Sequence, residues 1–136
     1  MIAARRIFRG AAIYGLIVLL PQYFLEARIG RDSPPPITHP EYFYGFLGVT
    51  IVWQVAFWVI GGDPARYRPL MPVAMLEKLG FGPAVFVLAG LGRVDATTVA
   101  FAALDLTIGA LFVVAWLRTP VEGRGDRTNA HLRGLR

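Results

Sequence analysis

The chain has 136 residues, of which 55% are hydrophobic and 17% charged, with a mean hydropathy of +0.51 and a formal net charge of +5. Soluble domains carry about 25% charged residues, and here the apolar residues fall in long blocks rather than an amphipathic scatter, which excludes an ordinary soluble fold. The absence of cysteine excludes disulfide exchange, thiolate catalysis, iron–sulfur ligation and cysteine-bound zinc.

The first nine residues form a basic flank with Arg5, Arg6 and Arg9, followed by an apolar run. Arg5-Arg6-Ile7-Phe8 has the form of a twin-arginine export signal. The run, however, continues through Pro21-Gln22-Tyr23-Phe24 with no small-x-small cleavage site, so a first membrane helix over about 7–25 is expected. Residues 26–40 then read as a loop, because Pro34-Pro35-Pro36 favours an extended segment and cannot continue a helix. Thr38-His39-Pro40-Glu41 has the form of a capping box with proline in the first turn, and it opens an aromatic second span over 41–61.

Gly61-Gly62-Asp63-Pro64 is a helix stop followed by a new cap, with Asp63 as N-cap and Pro64 in the first turn. The arginines and tyrosine of the following Arg66-Tyr67-Arg68 suit the headgroup layer. A third span is expected over 70–92. Gly92-Arg93-Val94-Asp95 makes the tight turn, and Asp95 caps a fourth span over 96–118. The tail, 119–136, has no apolar period and reads as disordered.

The arginines orient this layout. Arg5, Arg6, Arg9, Arg66, Arg68 and Arg118 fall on one side of a four-span chain, and the opposite side has only Arg28, Arg31 and Arg93. The positive-inside rule puts both termini in the cytoplasm, with the first six arginines against anionic phospholipid headgroups. No nucleic-acid motif accompanies the positive charge, so nucleic acid is not an expected partner. Thirteen arginines to one lysine, with abundant Ala, Gly and Val, is a composition typical of high-GC bacteria, which makes a bacterial inner membrane the expected location.

The unusual chemistry lies in Met75-Leu76-Glu77-Lys78-Leu79-Gly80-Phe81-Gly82-Pro83. An ionisable side chain at the centre of a membrane helix costs roughly 2.5–3.5 kcal/mol on the insertion scale, so Glu77 and the lone lysine, Lys78, call for a reason. Asp105 stands about halfway along the fourth span and Gln54 near the middle of the second. Neighbouring residues on a helix diverge by about 100°, so the economical arrangement turns Glu77 inward and lets Lys78 extend toward the cytoplasmic headgroups. The reverse, with Lys78 inward and paired to Asp105, spans a depth gap of several ångströms. Asp105 is also placed to bond Gln54 or a backbone carbonyl, with Ala102 and Gly109 on its face allowing close helix approach. Pro83 and Pro21 free the carbonyls of Leu79 and Ile17. His39 and His131 lie outside the apolar blocks, which argues against a bis-histidine haem. No metal site or cofactor is called for.

The run Arg68-Pro69-Leu70 leading to Leu76-Glu77-Lys78-Leu79-Gly80-Phe81-Gly82, with Leu104-Asp105-Leu106, Gly109, Leu111-Phe112 and Arg118-Thr119 in the last span, resembles small bacterial integral membrane proteins of DoxX-like layout. The resemblance covers mainly residues 41–119 and implies a four-helix bundle in the inner membrane. DoxX relatives are associated with redox partners, a role that this chain, without cysteine or an intramembrane histidine, does not support.

The reading that results is an all-α, integral membrane four-helix bundle. Three functions remain. The first is a non-catalytic scaffold or accessory subunit, with other subunits or copies of itself as partners. The second is a binding or transport module for a proton, cation or amphipathic ligand, using Glu77, Asp105, Gln54 and Lys78. The third is a lipid-modifying enzyme with the carboxylates as acid and base. The scaffold stands first, because four helices leave little room for a water-lined path.

Overall fold

The computed structural model describes residues 1–121, and the expected tail lies outside the described residues from residue 122 onward. Five α-helices are present: α1 (Ile2–Leu19), α2 (Glu26–Asp32), α3 (Pro40–Gly62), α4 (Met71–Gly90) and α5 (Ala96–Arg118). Single 3-10 turns at Leu20–Phe24 and Arg68–Leu70 extend α1 and lead into α4. Four of the resulting segments, each of 23 residues, are long and apolar enough to cross a membrane.

The local signals explain most of the boundaries. The α4–α5 turn is a Schellman motif: Gly92 has φ +66°, its N–H donates to the Ala89 carbonyl at 2.9 Å, and the Arg93 N–H donates to Leu88 at 2.9 Å. Asp95 then caps α5, accepting from the Thr98 N–H at 2.7 Å and the Thr98 hydroxyl at 2.6 Å. Those two bonds hold the Asp95 carboxyl below the ordinary aspartate range. Asp63 ends α3 and opens a turn over 64–67 rather than the helix expected there, its carboxylate accepting from the Arg66 N–H at 3.3 Å.

Four further local expectations change. The capping box is not formed: α3 starts at Pro40 with His39 at the N-cap and no side-chain cap bond, and Glu41 instead reaches the His39 ring at 3.2 Å. Residues 26–32 are helical rather than loop, so the triproline ends a short helix instead of lying in an open connection. Pro21 does not sit within an α-helix. The chain tightens into a 3-10 turn there, and the Val18 carbonyl accepts from the Gln22 side chain at 3.1 Å. Thr119 belongs to the bundle rather than to a tail. It is buried, and its hydroxyl donates to the Ala115 carbonyl at 2.7 Å.

The helices pack as two antiparallel pairs, α1 with α3 and α4 with α5, joined along α1 and α5. The sequence neighbours α3 and α4 barely touch. Their aromatic link is Phe46 to Phe81, with ring centroids 6.2 Å apart. Close packing is concentrated at the end that holds the N-terminus of α1 and the C-termini of α3 and α5. There Phe8 stacks on Phe112 at 4.2 Å and Phe57 meets Phe112 edge-on at 4.9 Å, surrounded by Ile60, Met71, Ala74 and Ala115. Gly61 makes the approach possible, since a Cβ at that position would lie 3.1 Å from the Arg9 backbone nitrogen. The outward faces carry large apolar side chains such as Ile17, Val52, Leu76, Val87 and Leu117. A continuous apolar exterior of this kind is what a soluble monomer avoids and what lipid requires.

Candidate functional site

Above the phenylalanine cluster the two helix pairs separate and leave a cavity of about 480 Å³. Its floor is polar. Lys78 on α4 is 5% exposed, and its Nζ donates to Asp105 Oδ1 on α5 at 2.7 Å. The same Nζ lies 3.0 Å from Glu77 Oε2 and 5.2 Å from the centroid of the Phe57 ring. One ammonium is thus clasped by two carboxylates over an aromatic face. Glu77 Oε2 is buried and has no aligned hydrogen bond.

Small residues let this cluster form. A Cβ at Gly109, one turn beyond Asp105, would sit 3.1 Å from Lys78 Cβ, so the lysine stem lies flat against α5. A Cβ at Gly82, one turn beyond Lys78, would meet Leu106 Cγ at 2.5 Å. Gly82 and Gly109 therefore bring α4 and α5 together at the level of the ion pair.

The reverse assignment is the one adopted. Lys78 points inward and reaches Asp105, and it does not extend toward headgroups. The supposed depth gap disappears because a lysine side chain is long and lies along the helix. Glu77 reaches the same ammonium from the preceding position, so adjacent residues share one partner although their Cα–Cβ vectors diverge. Gln54 is 2% exposed and lines the cavity, but it donates to its own helix at the Thr50 carbonyl (3.0 Å) rather than to Asp105. Its carboxamide lies against Gly15 of α1, where any larger residue would collide with it. The four residues singled out from the sequence thus line one cavity.

The aromatic second span supplies one wall, through Phe46, while sequence reasoning missed the other walls and the mouth. Tyr14, Phe46, Phe81 and Phe101 line the walls, drawn from four different helices. Periodicity could not group them, since α3, α4 and α5 are apolar all round. The mouth lies at the end opposite the aromatic core, between exposed Thr97, Asp95 and Ser33. The helix α2 straps it: the Ser33 hydroxyl donates to Asp95 Oδ2 at 3.1 Å, and the Tyr44 hydroxyl of α3 donates to Glu26 at 2.7 Å.

The six arginines expected at headgroups all lie at the closed end. Arg9 sits over Trp58 at 5.1 Å and Arg66 over Tyr67 at 5.5 Å, while Arg5, Arg6 and Arg118 are exposed. Arg68 is turned inward, donating to the Thr119 carbonyl at 2.9 Å and covering Trp116 at 4.6 Å. Among the described residues no group of three or more His, Asp or Glu could hold a metal ion.

The chain matches no family model, no curated protein and no solved structure. What the site does has to be argued from its own chemistry.

Proposed function

We propose that the protein is a multi-pass protein of the bacterial inner membrane that holds a small amphipathic molecule in its interior cavity. The observation that carries this reading is the cavity itself: apolar and aromatic walls over a floor of Glu77, Lys78 and Asp105. Its volume falls within the roughly 300–1,000 Å³ of small-molecule sites, and its few convergent polar groups are what fix a ligand's orientation. Ionisable groups within a membrane bundle mark a functional site by default, because insertion is costly without a return. The four-helix layout and its likeness to DoxX-like proteins belong to the same proposal.

The charge distribution supports an orientation. Among the described residues the closed end carries six arginines and one carboxylate, Asp63. The mouth end carries Arg28, Arg31 and Arg93 against Glu26, Asp32, Glu41 and Asp95. The closed end therefore faces the cytoplasm and anionic headgroups, and the mouth faces outward. Since the chain has no cysteine, single cysteines can be read without background. A membrane-impermeant maleimide should label Ser33→Cys in intact spheroplasts and Ala65→Cys only after lysis. The reverse pattern would refute the orientation.

A second reading is favoured by the Lys78–Asp105 bond, which joins α4 to α5 and would serve equally as helix glue in a scaffold or accessory subunit. One preparation separates the two. Wild type purified in mild detergent should carry about one equivalent of a small amphiphile by native mass spectrometry. Val18→Trp, which fills the cavity from α1, should lose it while keeping its unfolding midpoint. If wild type instead brings down a stoichiometric protein partner and carries no more amphiphile than Val18→Trp, the scaffold reading holds.

A further inference from the structure

Resting on the cavity reading, we propose that the occupant is a lipophilic amine, bound in its protonated form with the N–H donors directed at Glu77. The first argument is a charge count. The floor sets two carboxylates against one ammonium, and Asp95 adds a third carboxylate at the mouth, whereas the lining contains no other cation. A surplus negative charge in a low-dielectric bundle is relieved by a proton or by a counter-charge, and a ligand that brings a cation satisfies it where a neutral one does not.

The second argument is hydrogen bonding. Lys78 Nζ is already engaged by Asp105 Oδ1 at 2.7 Å and by Glu77 Oε2 at 3.0 Å, so the floor's donor group is committed while its two carboxylates keep acceptor capacity to spare. The group that complements such a floor is an N–H or O–H donor, not an acceptor. A carboxylate or phosphate ligand would bring only further acceptors and a third negative charge beside Glu77 and Asp105.

The third argument is the wall chemistry. Phe57 already holds one ammonium on its face at 5.2 Å, and Phe46, Phe81, Phe101 and Tyr14 ring the space above. Aromatic faces attract organic cations and also accept an apolar chain. The apolar part of the ligand is assigned to the α3–α4 seam, where the two helices scarcely pack and Phe46 and Phe81 meet. The amine would then sit on the floor with its tail leaving between α3 and α4 toward lipid.

Three amphiphiles of one chain length, dodecylamine, dodecanoate and dodecanol, distinguish the charge classes. Each is titrated into the full-length protein in phosphatidylcholine nanodiscs, with the unfolding midpoint followed by tryptophan emission. Dodecylamine should raise the midpoint saturably, with half-effect at a concentration about tenfold lower than either other compound. Glu77→Gln, which removes the surplus charge, should erase most of that preference. Equal effects of all three, or a preference for dodecanoate, would overturn the amine assignment and leave the cavity reading standing. No saturable effect of any compound beyond that seen in Val18→Trp would remove the cavity reading as well. If Glu77→Gln fails to fold, the wild-type series decides alone, and a preference that survives intact in a folded Glu77→Gln would also overturn the proposal.

Discussion

Replacing Lys78 with methionine should destabilise the protein by about 3–5 kcal/mol, because it leaves two buried carboxylates facing each other without a counter-charge. Lys78 is 5% exposed, and a neutral water in its place would supply no counter-charge. Methionine keeps the stem volume against Gly109, which confines the effect to charge and hydrogen bonding. At this chain length the loss corresponds to a fall of roughly 10 °C or more in unfolding midpoint, readable by tryptophan emission in detergent. The combined variant Glu77→Gln/Lys78→Met/Asp105→Asn should recover most of it, since removing a whole buried ion cluster is far less harmful than removing one partner. A Lys78→Met protein as stable as wild type would mean that the ion cluster contributes nothing to holding α4 on α5.

The second large effect is expected at Phe112. Its ring lies between Phe8, stacked at 4.2 Å, and Phe57, edge-on at 4.9 Å, and it is fully buried. Phe112→Ala should cost about 3–5 kcal/mol, the range found for deleting a buried aromatic ring. On the proposed membrane placement there is little hydrophobic drive between helices, and the loss would arise from vanished dispersion contacts and the void left behind. The void would open directly beneath Phe57, the ring that carries Lys78, so ligand retention should fall along with stability. Leu117→Ala, five residues on at a position 67% exposed, is the control and should shift the midpoint little. Similar shifts for the two variants would show that the aromatic cluster is not the structural centre.

Much of the helical layout was legible because each signal is local. Span length follows from uninterrupted apolar runs, the Asp95 cap from a carboxylate one turn before Thr98, and the Gly92 turn from the need for a positive φ. The short helix α2 was not legible. The triproline that follows it dominated the reading, and a seven-residue helix has too little periodicity to declare itself. The capping box failed for a related reason. Thr38-x-x-Glu41 is a pattern that permits a cap, but proline at 40 can also start the helix from His39.

For the site, the sequence by itself picked out the polar residues of the spans. Glu77, Lys78, Asp105 and Gln54 stand out because a polar group within an apolar run is conspicuous whatever surrounds it. It could not determine how they pair. Whether Lys78 reaches headgroups or Asp105 depends on the distance between α4 and α5, which Gly82 and Gly109 set from positions 27 residues apart in the chain. Nor could it reveal the cavity, because helices that are apolar on every side carry no stripe that marks an inner face. The separation of the two helix pairs, and with it the aromatic walls around the ion cluster, is decided by side-chain volumes meeting across helices. Only the tertiary structure brings those volumes together.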